Sequence, residues 1–132
     1  MITRSLINDM LAQHWPTAPC VCIEVSPKHA VASLTPATSD VRPGGYISGP
    51  TLFAAADAAL WFLCFGASNR LEPLALTSDL AIRFLRPARG TTVFARADLN
   101  KAGRRSVIGT VTVWTDDFDA PSATAQGAYI LP

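Results

Sequence analysis

The stretch Ser48–Ser68, SGPTLFAAADAALWFLCFGAS, limits what this chain can fold into more than any other. It predicts one helix. Pro50 suits a first helical position, where a missing N–H is no loss. Ser48 or Gly49 can cap the start, and Asn69 follows the end. From Leu52 to Ala67 nearly every residue is apolar or small, so no solvent face is visible. A helix apolar all round is buried on all sides or lies in a membrane. The apolar run falls short of the roughly 20 residues of a bilayer crossing, and it carries one acid, Asp57. The expectation is a helix at the centre of a small soluble domain, with a single carboxylate set into it.

On that helix the neighbours of Asp57 are Phe53, Ala54, Leu60 and Trp61, none of which can pair a charge. Burying an unpaired carboxylate is costly, and a functional role justifies the cost. The alternative is an arginine brought from elsewhere, or a wet edge.

A chain of 132 residues predicts one domain spanning residues 1–132. Charged residues make up 16% against a usual share of about 25%, so apolar surface is left for a partner subunit. A net charge of +1 gives no reason to expect nucleic acid. Cys20, Cys22 and Cys64 are an odd set without disulfide spacing. The N-terminal MITRSLINDMLAQHW lacks the apolar core of a signal peptide, so a reducing cytoplasm is expected. His14 and His29 show no ligand spacing and there is no CxxC, so neither a metal nor a cofactor is expected.

Before the long helix, Thr3–Gln13 has helical spacing at Leu6, Ile7, Met10 and Leu11. Cys20–Val25 and Ala30–Leu34 alternate with period two around the turn Ser26–His29, which predicts a hairpin. Residues Ala37–Ile47 read as a loop, with a turn at Pro43-Gly44-Gly45. Its charges, Asp40 and Arg42, either face solvent or reach whatever binds at the helix start. After the helix, strands are expected over Leu74–Leu85, Thr91–Leu99, Arg105–Thr115 and Ala123–Leu131. Their short connections favour antiparallel pairing. The fold class is α+β: one antiparallel sheet, curled by its twist, wraps the helix, and a second copy covers what stays bare.

The pattern RPGGYISGPTLFAAAD followed by LTSDLAIRFLRPA resembles the hotdog-fold acyl-CoA thioesterases of the PaaI-like branch, from about the first hairpin to the last strand. The resemblance implies a hotdog fold and hydrolysis of a small or medium acyl- or aryl-CoA thioester without a metal. It implies that Gly49 offers a backbone N–H to the thioester carbonyl, that Asp57 is the helical acid, and that Thr77 is the hydroxyl residue of the long strand. Phe84, Arg86 and Pro87 match the strand end near which CoA lies in the family. Gly103, Arg104 and Arg105 fall where the family often meets CoA phosphates. Trp61 is core or lines the acyl pocket. Two positions depart from the pattern. The family's His-Gly-Gly is Ser48-Gly49-Pro50 here, which puts Ser48 at the substrate, and Arg42 stands near a usual Asn or Gln.

Physical argument supports the same assignment. N–H groups at a helix start are unsatisfied and can steady an oxyanion. Asp57 can act as general base on water or attack the carbonyl itself. Gly49 and Asp57 are separated by about 12 Å of helix at about 1.5 Å per residue, too far for one thioester carbon. The expectation is a homodimer with shared sites, Asp57 and Thr77 from one chain and Gly49 with Arg42 from the other; two dimers joining as a tetramer is left open. The rival is a hotdog protein that binds an acyl-CoA or related ligand without turnover. A dehydratase is disfavoured because His14 and His29 lie away from the helix.

Overall fold

The computed structural model describes all residues, Met1–Pro132. The chain runs α1 (Arg4–His14), β1 (Cys20–Val25), β2 (His29–Leu34), β3 (Val41–Arg42), β4 (Tyr46–Ile47), α2 (Gly49–Ser68), β5 (Leu76–Phe84), β6 (Val93–Ala102), β7 (Ser106–Trp114) and β8 (Ala123–Ile130). Six strands form one antiparallel sheet in the order β1-β2-β6-β7-β8-β5, and α2 packs on its inner face. The predicted α+β hotdog architecture is the one observed.

Helix α2 starts where Ser48 takes an extended conformation and its hydroxyl accepts from Thr51 N–H; it stops at Asn69, in the left-handed region at φ 54°. At 20 residues it reaches the length of a bilayer crossing, longer than the apolar run suggests. Eleven of those residues are buried, among them Leu60, Phe62, Leu63 and Phe65, so the helix is the core of the domain. The expectation of no solvent face needs correction. Phe53, Ala54, Asp57, Ala58 and Trp61 form a stripe that the sheet leaves partly open. Gly66 sits where α2 meets the β1–β2 turn, and a Cβ there would lie 2.3 Å from the Ser26 carbonyl oxygen.

The loop Ala37–Ile47 is more ordered than its composition suggests. A single 3-10 turn (Thr38–Asp40) leads into the two-residue strands β3 and β4, whose connection needs positive φ at Gly44 (92°) and Gly45 (80°). Asp40 anchors this segment to α2: its carboxylate accepts from Thr51 Oγ1 at 2.9 Å and Ala37 N–H at 2.7 Å, and its carbonyl accepts from Ser48 N–H at 2.8 Å.

The two sheet edges differ. Along β1, Asn8 of α1 donates to Cys22 O at 2.8 Å and accepts from Cys22 N–H at 2.9 Å, while Arg4 donates to Ile23 O at 3.3 Å. Side chains therefore satisfy part of that edge. Edge strand β5 carries exposed Leu76 and Phe84 and is flanked by exposed Leu74 and Leu85.

Candidate active site

Asp57 projects from the middle of α2 towards the N-terminal end of β5. Its expected isolation is not what the structure shows. Thr77 Oγ1 donates to Asp57 Oδ1 at 2.7 Å, and Tyr129 O–H donates to the same oxygen at 2.8 Å. No cation pairs with this acid; the ion pairs in the chain are His29–Glu24 and Arg96–Asp98. Asp57 is half-buried, so the greasy helix carries a carboxylate anchored by two neutral hydroxyls.

A β-bulge aims Thr77 at it. Leu80 and Ile82 are the partly buried members of β5, and period two would continue inward at Ser78. The register shifts between Thr77 and Asp79, so Thr77 pairs with Tyr129 while Asp79 pairs with Ala128. The extra residue turns Thr77, not Ser78, to the helix. Tyr129 reaches Asp57 from the adjacent strand, on the inward set Ala123, Ala125, Gly127 and Tyr129. Sequence reasoning missed Tyr129. The inward alternation of β8 was a usable signal, but only the register shows that this hydroxyl meets α2.

The trio opens on a pocket of about 320 Å³ with mostly apolar walls, including Trp15, Cys20, Ala54, Trp61 and Phe62. The rings of Trp15 and Trp61 lie 6.1 Å apart, which closes one wall with the end of α1. Burial, with a smaller push from Asp57, raises the Cys20 thiol to about 12, so it is neutral and no nucleophile near neutral pH. Burial, then the Asp57 charge, also raises the Tyr129 phenol, which keeps its proton as a donor.

Gly49, Arg42, Phe84 and Arg86 gather in a second, wider hollow of about 740 Å³ at the other end of β5. A Cβ at Gly49 would lie 3.1 Å from Phe84 Cζ, so the ring sits against the helix start. Arg86 donates to Pro121 O at 2.7 Å, and Arg42 is exposed and in no ion pair. Arg89 lies 4.2 Å over the Tyr46 ring at the same rim. The lining contains two arginines and no acid, which suits an anion. Ser48, expected at the substrate, does not line this hollow; its hydroxyl stands 2.7 Å from Thr51 Oγ1 as part of the helix cap.

Arg104 and Arg105 sit in the β6–β7 turn. Ser106, Ile130 and Leu76 are paired across β7, β8 and β5, so that turn lies at the Asp57 end of the sheet, away from Arg86. Arg105 Nε donates to Leu131 O at 3.3 Å, and Arg104 is exposed. The site residues therefore form two groups in one chain: Asp57, Thr77 and Trp61 at one pocket, and Gly49, Arg42, Phe84 and Arg86 at the other hollow.

A family model described as the thioesterase superfamily matches residues 44–119, more than half of the chain. Among solved structures, a candidate thioesterase of Silicibacter sp. TM1040 is 24% identical and superposes with a TM-score of 0.85 over 100% of this chain and 93% of its own. The PaaI protein from the phenylacetic acid degradation operon of E. coli is 22% identical, with a TM-score of 0.71 over 93% of this chain and 88% of that one. Zebra fish thioesterase superfamily member 2 is 14% identical, with a TM-score of 0.80 and full coverage of both chains. No match was found among curated proteins.

Proposed function

The chain belongs to the thioesterase superfamily, and from that membership we propose that it is an acyl-CoA thioesterase acting on a small or medium acyl or aryl group. The observation that carries this reading is the Asp57 carboxylate, held by Thr77 and Tyr129 at the wall of an apolar pocket. A pocket of about 320 Å³ accommodates an acyl or aryl group but not a whole coenzyme. The nucleotide is assigned to basic side chains outside it, Arg86 from one end of the sheet and Arg104 with Arg105 from the other.

In the proposed reaction a water oxygen bonds to the thioester carbon while Asp57 takes its proton. The carbonyl oxygen becomes an oxyanion beside the Gly49 N–H, with Arg42 as the second positive group. As the carbonyl re-forms, the C–S bond breaks and the CoA thiolate leaves, taking up a proton. In the variant route Asp57 itself attacks, and water then cleaves the acyl-aspartate. In heavy-oxygen water, label found on Asp57 after a single turnover identifies the second route with water adding at the aspartyl carbon; water adding at the acyl carbon puts the label in the released acid, as the first route does.

Two chains are proposed to build each site. The open β5 edge and its exposed Leu76 and Phe84 support pairing with a second copy. An antiparallel β5–β5 pairing centred between Leu80 and Ala81 sets Thr77 of one chain opposite Phe84 of the other. Phe84 lies against Gly49, so this register brings one chain's helix start to the other chain's Asp57. Three buried free thiols fit the reducing cytoplasm included in this reading.

A second reading, ligand binding without turnover, draws on Ser48-Gly49-Pro50 standing where the family has His-Gly-Gly. Thiol release from a panel of acyl-CoAs, with Asp57→Asn as control, decides between the two. Release that depends on Asp57 supports the enzyme. Binding of the panel with no release supports the rival.

A further inference from the structure

We propose that Tyr129 is a positioning residue which, together with Thr77, saturates Oδ1 of Asp57 and reserves Oδ2 as the reacting oxygen. The inference rests on Asp57 being the acid of the thioesterase reaction. A carboxylate oxygen offers about two acceptor sites. Thr77 Oγ1 at 2.7 Å and Tyr129 O–H at 2.8 Å both fall on Oδ1, while Oδ2 takes no hydrogen bond from the protein. The one buried side-chain polar atom without a partner is Trp61 Nε1, so Oδ2 is not sealed off.

The donors come from neighbouring strands that are themselves paired, Thr77 with Tyr129. Their hydroxyls therefore approach Asp57 from fixed positions. Two charge-assisted bonds on one oxygen hold the carboxylate plane and decide which oxygen can meet a proton or a carbonyl carbon. Tyr129 is buried, whereas Thr77 is exposed, so the tyrosine is the donor that water cannot easily replace. The other titratable groups beside the pair are Cys20 of β1 and Cys64 of α2. Burial raises these thiols to about 12 and about 11, so neither competes as an anion near neutral pH.

Tyr129→Phe keeps the ring and deletes the donor. Expected is a fall in kcat of about ten- to a hundredfold, with KM moving by less than about threefold, because a bond to a charged group is lost and substrate contacts are not. A second measurement needs no turnover. The chain has two tyrosines, Tyr46 and Tyr129, so a Tyr46→Phe background leaves Tyr129 as the one phenol read in an absorbance titration. In Asp57→Ala that phenol is expected to ionise at lower pH than in the wild type, since the facing charge is gone. Wild-type kcat in a folded Tyr129→Phe, or identical phenol titrations with and without Asp57, overturns the proposal. Should Tyr129→Phe not fold, the phenol titration decides alone. Should the wild type cleave no thioester, the functional reading fails, while the titration still reports whether Tyr129 and Asp57 are linked.

Discussion

If Asp57 and Gly49 act on one thioester from different chains, two crippled proteins should rescue each other. The first lesion is Asp57→Asn, which removes the base and keeps the volume. The second is Gly49→Val. Its Cβ would lie 3.1 Å from Phe84 Cζ, and a Cβ just before Pro50 disfavours the helical backbone; both push the N–H out of line. Loss of one oxyanion donor costs about 100- to 1000-fold in kcat, so either homodimer is nearly inactive. In a mixed dimer of two-fold symmetry, one site combines both lesions and the other combines an intact Asp57 with an intact Gly49. Co-expression with two different affinity tags isolates the mixed species. Its thiol release should reach about half the wild-type rate per dimer, since one of two equivalent sites is whole. If both residues instead served a site within one chain, each protomer of the mixed dimer would carry one lesion. No activity above the homodimers, with folding checked by circular dichroism, refutes the shared site.

Other consequences are simpler. Gly66→Ala should destabilise the chain by about 1–3 kcal/mol in urea unfolding, because its Cβ would lie 2.3 Å from a backbone oxygen. Helix propensity alone predicts a gain of about 1 kcal/mol, so a more stable variant would contradict the packing. Cys20, Cys22 and Cys64 are raised by burial from an ordinary 9.0 to about 12, 11 and 11. A raised thiol contributes stability that is fully present below pH 9.0 and lost as pH climbs towards 11–12. The melting temperature should therefore fall across that alkaline window, and a flat profile there would count against it. For the same reason iodoacetamide should label the folded chain far more slowly than the urea-unfolded chain at neutral pH; equal rates would mean the thiols are accessible.

The long helix, its caps and the acid inside it are legible in the sequence because they depend on local spacing. Pro50, the apolar run and Asn69 mark a helix whatever surrounds it. The hairpin Cys20–Leu34 and the four later strands follow from period two and turn residues, with ends displaced by at most three residues. Motif resemblance singles out Asp57, Gly49 and Thr77, but not what holds the acid. The charges of the loop before α2 read as facing either solvent or a ligand at the helix start, whereas Asp40 is tied to Thr51 and Ala37 and leaves Arg42 free. That division depends on where the helix start lies in space.

What the chain determines by itself is the inventory: a core helix with one acid, strands enough to wrap it, and too few charges to cover the surface. The pairing of those strands belongs to the tertiary structure. One added residue at the bulge in β5 reverses which of Thr77 and Ser78 points inward, and strict alternation cannot foresee it. Tyr129 and Asp57 stand 72 positions apart, and only the order β7-β8-β5 over α2 brings them within a hydrogen bond. Local propensity is set by neighbours along the chain, whereas the anchoring of a carboxylate is set by neighbours across a sheet.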